Sequence, residues 1–135
     1  MRGCVTLRAM HPARPILDEL RLLLRPAGGG VHLVSTGRAE QLALQRQLYG
    51  ADDVADVDAA HLADLAVIVD ARVVILGVPS DVGAGFRRGA NLGPQAVRSA
   101  LLADDPDWRT RQRARGVIDI GDVFVVPQLL SDDLL

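Results

Sequence analysis

The sequence predicts an α/β fold built around a parallel sheet, and three observations lead to that prediction. Residues 72–78 form an unbroken β-branched and apolar run, which is typical of a strand buried on both faces. A helical pattern that opens at Pro94 follows it, and a second apolar run comes at 117–126. Strand, loop, helix and strand in this order predict a βαβ unit with a right-handed crossover and two parallel strands.

The first half of the chain is predicted to begin with a helix. Residues 1–14 show no period and predict a loose arm, after which Pro15 opens the helix, and Pro26 with the glycines 28–30 ends it. Its apolar residues recur at the spacing of one helical face. They are Ile16, Leu17, Leu20, Leu23 and Leu24.

A short strand at 31–34 and two further helices are predicted before the βαβ unit. Ser35 or Thr36 caps a helix over 38–49, which Gly50 ends. The third helix spans 58–66, and the acidic residues around its start indicate a solvated surface. Its inward residues are Leu62, Leu65 and Ala66. We treat residues 1–70 as an unassigned N-terminal α/β extension and residues 71–135 as the N-terminal part of a further domain.

Within the βαβ unit, the helix after Pro94 carries an apolar stripe, and the acidic stretch 104–107 ends it. The stripe consists of Ala96, Val97, Ala100 and Leu101. The second apolar run is interrupted at Gly121-Asp122. Between helix and strand, arginines alternate over 109–115 beside Trp108, which favours a solvated connector over a nucleic-acid contact because acidic residues flank the run.

Composition narrows the classes of partner. A net charge of −2 and an aromatic content of 3% argue against binding a polyanion or stacking on nucleic-acid bases. The single cysteine, Cys4, cannot form an internal disulfide. No run approaches the length of a membrane span, and Met1 to His11 lacks the apolar region of a signal peptide. We therefore expect a cytoplasmic protein with no membrane or nucleic-acid partner.

Two segments resemble the signature regions of ureohydrolases, the superfamily of arginase, agmatinase and formimidoylglutamase. Residues 77–98 read GVPSDVGAGFRRGANLGPQAVR: a strand ending in Gly-Val-Pro, a loop with spaced Gly, Arg and Gly, and a Gly-Pro that opens a helix. Residues 117–123 read VIDIGDV and resemble the next block of that family, a strand ending in Asp-x-Gly-Asp. The resemblance covers 72–126, and 1–70 resembles no family that we can name.

The resemblance implies a three-layer α/β/α fold with a mainly parallel sheet, incomplete in this chain. It also implies hydrolysis of C–N bonds in linear guanidines or amidines, with agmatinase-like substrates preferred and arginase or formimidoylglutamase chemistry open. Family members use two Mn²⁺ ions that activate a bridging water, and the complete enzyme is expected to be a homo-oligomer. The family's metal-ligand blocks, of the forms Gly-Gly-Asp-His, Asp-Ala-His-x-Asp and Ser-x-Asp-x-Asp, do not occur here.

We therefore predict no catalytic residue, no metal ligand and no activity for this chain alone. His11, His32 and His61 have no carboxylate neighbour in the family's pattern. Ser131 and two aspartates after it look like the start of a helix, so we expect the natural domain to continue beyond Leu135.

The site residues transferred from the family motif fall into two groups. Structural positions are Gly77, Pro79, Gly83, Gly89, Gly93, Pro94, Arg98, Asp119, Gly121 and Asp122. Substrate-loop candidates are Asp81, Phe86, Arg87 and Arg88. Gly77 and Gly83 should permit close backbone approach, while Gly89 and Gly93 should need positive φ. Arg98 should reach acidic partners or carbonyls, and the two aspartates should accept from loop N–H groups.

Two alternatives stay open. A nucleotide- or phosphate-binding module would use the glycines of 83–89, but a dinucleotide fingerprint needs glycine where Arg88 stands, and the helix starts later, at Pro94. A non-catalytic descendant of the family that acts in assembly would share every feature of this chain. Whether the chain is the front part of an enzyme or a non-catalytic descendant, its incomplete sheet should leave an open edge and promote self-association.

Overall fold

The computed structural model describes residues 13–30, 37–82, 86–87 and 89–125. Of the predicted arm at 1–14, residues 1–12 lie outside these residues, whereas Ala13 and Arg14 belong to a helix, so the prediction is wrong for those two. The predicted strand at 31–34, the capping residues Ser35 and Thr36, and the helix start near Ser131 also lie outside the described residues. The elements are α1 (Ala13–Leu23), β1 (Leu24–Arg25), α2 (Arg38–Tyr49), α3 (Val54–Ala66), a 3-10 turn (Ile68–Asp70), β2 (Val73–Gly77), a second 3-10 turn (Ala90–Leu92), α4 (Gly93–Asp104), α5 (Trp108–Ala114) and β3 (Val117–Val123). This arrangement confirms a mixed α/β chain.

The described sheet has three strands in the order β1-β3-β2, so β3 is central. Strand β2 runs parallel to β3, with Val73 opposite Val117 and Ile75 opposite Asp119, which confirms the predicted parallel pair. Strand β1 adds a short antiparallel pairing on the other edge of β3. The predicted interruption at Gly121-Asp122 is wrong, because β3 continues through both residues to Val123 and a register shift in the β2 pairing accommodates them.

The prediction that β2 is buried on both faces is also wrong. Val73, Val74 and Leu76 are 52%, 41% and 45% exposed. The strand lies at an edge of the described sheet, and the face that carries Val74 and Leu76 is left uncovered by the described helices. Ile75 points to the opposite face, since side chains alternate along a strand, and it packs against the core.

Two hydrophobic clusters hold the elements together. The first joins α2, α3, α4 and α5, and its buried members are Ala27, Leu44, Leu48, Tyr49, Val57, Leu102 and Trp108. The second joins β1, α3 and β3 through Leu24, Leu65, Ile118 and Ile120. Helix α3 contributes to both clusters, so it links the two parts of the core.

The three N-terminal helices form largely where predicted, with differences in the faces they bury. Helix α1 packs Leu17 and Leu20 against the second cluster, whereas Ile16 and Leu23 are exposed. Helix α2 ends at Gly50, whose φ of 61° lies in the left-handed region that glycine accepts without strain.

Helix α3 begins four residues earlier than predicted. The Asp53 carboxylate accepts from the Asp56 N–H at 2.8 Å and thereby caps the helix at Val54. The acidic residues around this start are exposed, as predicted. Leu65 is buried and Leu62 partly so, but Ala66 is exposed, because the helix turns Asp64 inward in its place.

Helix α4 opens with Pro94 in its first turn, as predicted. Its predicted apolar stripe is wrong: Ala96, Val97 and Ala100 are exposed and Leu101 is only partly buried. Arg98 and Leu102 are the buried residues instead. The helix presents Arg98 to acidic groups on β3, and this orientation turns most of the stripe towards solvent.

The arginine-rich segment is helix α5 rather than a connector. Arg109 donates from Nε and Nη2 to Asp64 Oδ2 at 3.0 and 2.7 Å, and Arg113 Nη1 forms an ion pair with Asp64 Oδ1 at 3.0 Å. The Asp64 carboxylate is 2% exposed, so both arginines converge on a buried acid of α3. Trp108 faces the core and is not a stacking surface. No described helix is long and apolar enough to cross a bilayer.

Candidate functional site: a buried arginine–aspartate cluster

Arg98 lies at the centre of the residues transferred from the family motif. Its guanidinium binds Asp119 in a bidentate fashion, with Nε donating to Oδ2 at 2.7 Å and Nη2 donating to Oδ1 at 2.8 Å. The Asp119 Oδ1 atom also accepts the Gly121 N–H at 3.0 Å. This paired geometry is the strong form of an arginine–carboxylate interaction, and it fixes α4 against β3.

Asp122 extends the cluster to the N-terminal half of the chain. Its Oδ1 accepts from Arg98 Nη1 at 2.5 Å, and its Oδ2 accepts the Gly28 N–H at 2.7 Å. Arg98 Nη2 also donates to the Gly121 carbonyl at 3.1 Å. We name Arg98, Asp119 and Asp122 the Arg98 cluster. It connects α4, β3 and the turn after β1, which agrees with the partners expected for these three side chains.

The Arg98 cluster is sealed from solvent, because each of its three side chains is at most 3% exposed. Burial on its own lowers the pKa of Arg98, but the hydrogen bonds and charges of Asp119 and Asp122 outweigh it and hold that pKa above its ordinary value. Two carboxylates face one guanidinium, and the N–H groups of Gly28 and Gly121 supply the remaining donors. Every carboxylate oxygen therefore has a partner.

Gly77 is required by close packing on the cluster. A Cβ at this position would collide with Asp122 Oδ1, and would lie 2.9 Å from Asp122 Cγ and 3.0 Å from Pro94 Cβ. The expectation of a close backbone approach is therefore confirmed. Gly121 has a φ of 83°, and a Cβ there would meet the Arg25 carbonyl and lie 3.0 Å from His61 Nε2.

The loop after β2 is described in part. Asp81 Oδ2 accepts the Gly89 N–H at 3.4 Å, and Gly89 has a φ of 119°, as expected. Gly93 does not need positive φ: at −54° it has entered the helix, so that expectation is wrong. Pro79 is buried.

The structure describes three of the four substrate-loop candidates. Phe86 and Arg87 are exposed to solvent, and Asp81 is partly buried. Gly83 and Arg88 lie outside the described residues. The role of these side chains towards a substrate stays a prediction.

The described residues do not fit a metal pair. Across 13–30, 37–82, 86–87 and 89–125, no group of three or more His, Cys, Asp or Glu side chains could hold an ion. In the Arg98 cluster the guanidinium occupies the place that a cation would need, and the four carboxylate oxygens already accept from the chain. His11 and His32 lie outside the described residues.

The buried polar residues that the sequence reasoning missed include His61, Tyr49 and Asp64. His61 is 4% exposed, and its Nε2 lies 2.9 Å from the Ile120 carbonyl oxygen. Tyr49 packs edge-on to the His61 ring and accepts the Ala27 N–H at 2.9 Å, and burial raises the pKa of its phenol. Asp64 pairs with α5. Asp64 directly precedes Leu65, which was predicted to face inward on α3. This position is the one sequence signal that could have indicated a buried acid.

The described part of the chain is an α/β unit in which two parallel strands are joined through a loop and a helix. Arg98 on this helix binds the Asp-x-Gly-Asp turn of the second strand. The family described as the arginase family has a model that matches residues 71–132. This confirms the resemblance for the matched segment, which is just under half of the chain. No curated protein and no solved structure matches the chain.

Proposed function

We propose that this chain provides the front framework of a ureohydrolase-type enzyme that hydrolyses C–N bonds in linear guanidines or amidines, with an agmatinase-like substrate preferred. In this proposal the complete enzyme has a three-layer α/β/α fold, depends on two Mn²⁺ ions and works in the cytoplasm. Residues 71–135 form the N-terminal part of its ureohydrolase-like domain, and residues 1–70 form an α/β extension. The coarser part, ureohydrolase-type function, follows from the family of residues 71–132.

The observation that carries the proposal is the position of the Arg98 cluster. Gly77 ends β2 and Asp122 lies one residue before the end of β3, so the cluster sits at the carboxyl ends of two parallel strands. Ligands of open α/β sheets bind beyond that edge. The loop with Asp81 and Arg87 starts from the same edge, which supports its assignment as a substrate loop.

The chain's own contribution is support rather than chemistry. The Arg98 guanidinium and two backbone N–H groups already donate to the four oxygens of Asp119 and Asp122, so neither carboxylate is free to act as a base or as an ion ligand. What the cluster provides is a fixed relation between β3, α4 and the turn at Gly28. A rigid framework of this kind holds catalytic groups supplied by other segments within the narrow tolerance that hydrolysis requires.

An activity assay tests the proposal. Purified 1–135, supplied with Mn²⁺, should release neither urea nor ammonia from arginine, agmatine or formimidoylglutamate. Metal-dependent turnover would contradict the supporting role. Reading the DNA downstream of codon 135 provides the complementary test: a continuous reading frame with the metal-ligand blocks supports the enzyme, and a stop codon supports the second candidate.

The second candidate is a non-catalytic family member that acts in assembly. The edge strand β2 favours it, since Val73 to Val78 carries no charged residue and exposes Val74 and Leu76. Uncharged, apolar edges pair readily with another chain. We propose that copies of this chain associate through β2, and therefore that the protein is a homo-oligomer.

The nucleotide-binding alternative is weaker in light of the structure. A phosphate-binding glycine loop must lead directly into a helix N-terminus. Here a 3-10 turn at Ala90–Leu92 separates Gly89 from α4, and the first turn of α4 contains Pro94, which lacks an N–H donor. Titration with NAD, ADP or phosphate should therefore give no saturable binding.

A further inference from the structure

A cleft lies in the part of the chain that the arginase family does not account for. It runs between the end of α1, the turn after β1 and helix α3. Its main chamber has a volume of ≈ 260 Å³ and is lined by residues that include Arg21, Leu24, Arg25, Asp58, His61 and Leu62. A second chamber of ≈ 170 Å³ shares Asp58 with it and leads towards α2.

His61 brings a ring nitrogen without a hydrogen-bond partner among the described residues to this cleft. Since a carbonyl oxygen can only accept, His61 Nε2 is the donor in its 2.9 Å contact with the Ile120 oxygen. In the neutral ring Nδ1 is then an acceptor, and it has no hydrogen-bond partner among the described residues. His61 Nδ1 is not among the described side-chain atoms that are both sealed from solvent and without a hydrogen bond, and we infer that it faces the cleft that His61 lines.

Charged groups of both signs line the same cleft as this nitrogen. Asp58 precedes His61 by three residues, so the two lie on the same face of α3. Arg25 is held in place: its Nη1 donates to the carbonyls of Arg21, Leu22 and Leu24, and its guanidinium stacks 4.4 Å from the Phe124 ring centre. The Arg21 side chain is 54% exposed and within 3.9 Å of one acid, Asp18.

These groups favour a small ligand that carries a carboxylate at one end and a hydrogen-bond donor at the other. A bare metal cation would meet two guanidinium groups, and a doubly charged phosphate would meet Asp58. A carboxylate suits Arg21 and Arg25, while an N–H or O–H donor suits Nδ1 of His61 and the carboxylate of Asp58. Leu24 and Leu62 offer apolar contact to a short aliphatic portion.

We propose that this cleft binds a small amino or hydroxy acid, with its carboxylate on Arg21 and Arg25 and its amino or hydroxyl donor on His61 Nδ1. The chamber is smaller than the ≈ 300 Å³ at which drug-sized sites begin, in keeping with a ligand of a few heavy atoms. The site lies within residues 21–62, so it does not depend on the function proposed for 71–132.

Nuclear magnetic resonance of the histidine ring nitrogens tests the proposal on the full chain. The probes are L-alanine, L-lactate and propionate, which share a carboxylate and differ in carrying an ammonium, a hydroxyl or no donor. The His61 Nδ1 resonance, assigned by its loss in His61→Gln, should shift on titration with the first two. Propionate should bind about threefold to tenfold more weakly, since one hydrogen bond is lost.

A matched pair of arginine variants separates this site from general charge effects. Arg21 and Arg111 have similarly exposed side chains, at 54% and 62%, and Arg111 lies on α5, outside the cleft lining. Arg21→Gln should weaken L-alanine binding at least about threefold, and Arg111→Gln should leave it unchanged. The proposal is overturned if the His61 resonance stays still with all three probes, if propionate binds as well as L-alanine, or if the two variants behave alike.

Discussion

Replacing Gly77 by alanine should destabilise the fold by moving Asp122 out of the Arg98 cluster. The new Cβ would collide with Asp122 Oδ1 and approach Asp122 Cγ to 2.9 Å, on a strand whose backbone is held by the pairing with β3. Since Pro94 blocks the other side at 3.0 Å, the backbone cannot relieve the contact and the carboxylate must shift. That shift breaks the bonds of Asp122 to Arg98 and to the Gly28 N–H.

The size of the effect follows from these two losses. Overpacking of a filled site costs about 1–3 kcal/mol, and a buried hydrogen bond to a charged group contributes about 1.5–3 kcal/mol. Because the displaced carboxylate recovers part of its interaction, we expect a loss of about 3–5 kcal/mol in the free energy of unfolding. For a chain of this size the melting temperature should fall by roughly 10–15 °C.

Gly93→Ala provides a control for which a much smaller effect is expected. Gly93 has helical dihedral angles, and apart from its chain neighbours a Cβ there would meet nothing within 4 Å. The less flexible unfolded state of alanine favours the variant by about 0.4–1 kcal/mol, whereas the following Pro94 disfavours helical dihedral angles for a residue that carries a Cβ. These effects oppose each other, so the melting midpoint should change little. Trp108, the single tryptophan and 8% exposed, reports unfolding by its fluorescence. Gly77→Ala with an unchanged midpoint, or two variants with equal losses, would refute the packing argument.

Three further outcomes are expected. Tyr49 is the single tyrosine, and burial raises the pKa of its phenol above 10.0. The contribution of the neutral phenol to stability is therefore complete below pH 10.0 and declines as the pH rises further. Phenolate absorbance that titrates at or below pH 10.0 in the native protein would contradict this expectation. Arg98→Met should cost about 3–5 kcal/mol in urea unfolding because it strands buried carboxylates, whereas Arg111→Met, at the surface, should cost at most about 1 kcal/mol. Leu76→Lys on β2 should reduce self-association in sedimentation experiments and Val69→Lys should not, although Val69 is more exposed; equal effects would exclude β2 as the interface.

The features that the sequence predicted correctly have local signals. Gly50 and Pro94 mark a helix end and a helix start through backbone chemistry that needs no tertiary partner. The parallel pair of β2 and β3 follows from the order of strand, helix and strand. The expectation that Arg98 reaches acidic partners held because Asp119 and Asp122 follow on the strand against which its helix must pack.

The features that it predicted wrongly depend on partners far along the chain. The arginines of α5 alternate as in a solvated connector, and only the fold shows that Asp64, 45 residues before Arg109, receives them. The apolar run of β2 has the composition of a central strand, yet its burial depends on which elements cover it. Likewise the inward face of α4 is set by Arg98, because two buried carboxylates outweigh the contacts of the small residue Ala96.

Because Arg109 and Arg113 share the Asp64 carboxylate, substitutions on α5 should be tolerated better than a substitution of Asp64 on α3. Either Arg109 or Arg113 can be replaced while the acid keeps one positive neighbour. Replacement of the acid, in contrast, leaves two cations facing each other with no anion between them. In related sequences, we therefore expect position 109 or position 113 to be substituted alone. Position 64 should be substituted only when both arginines are replaced as well.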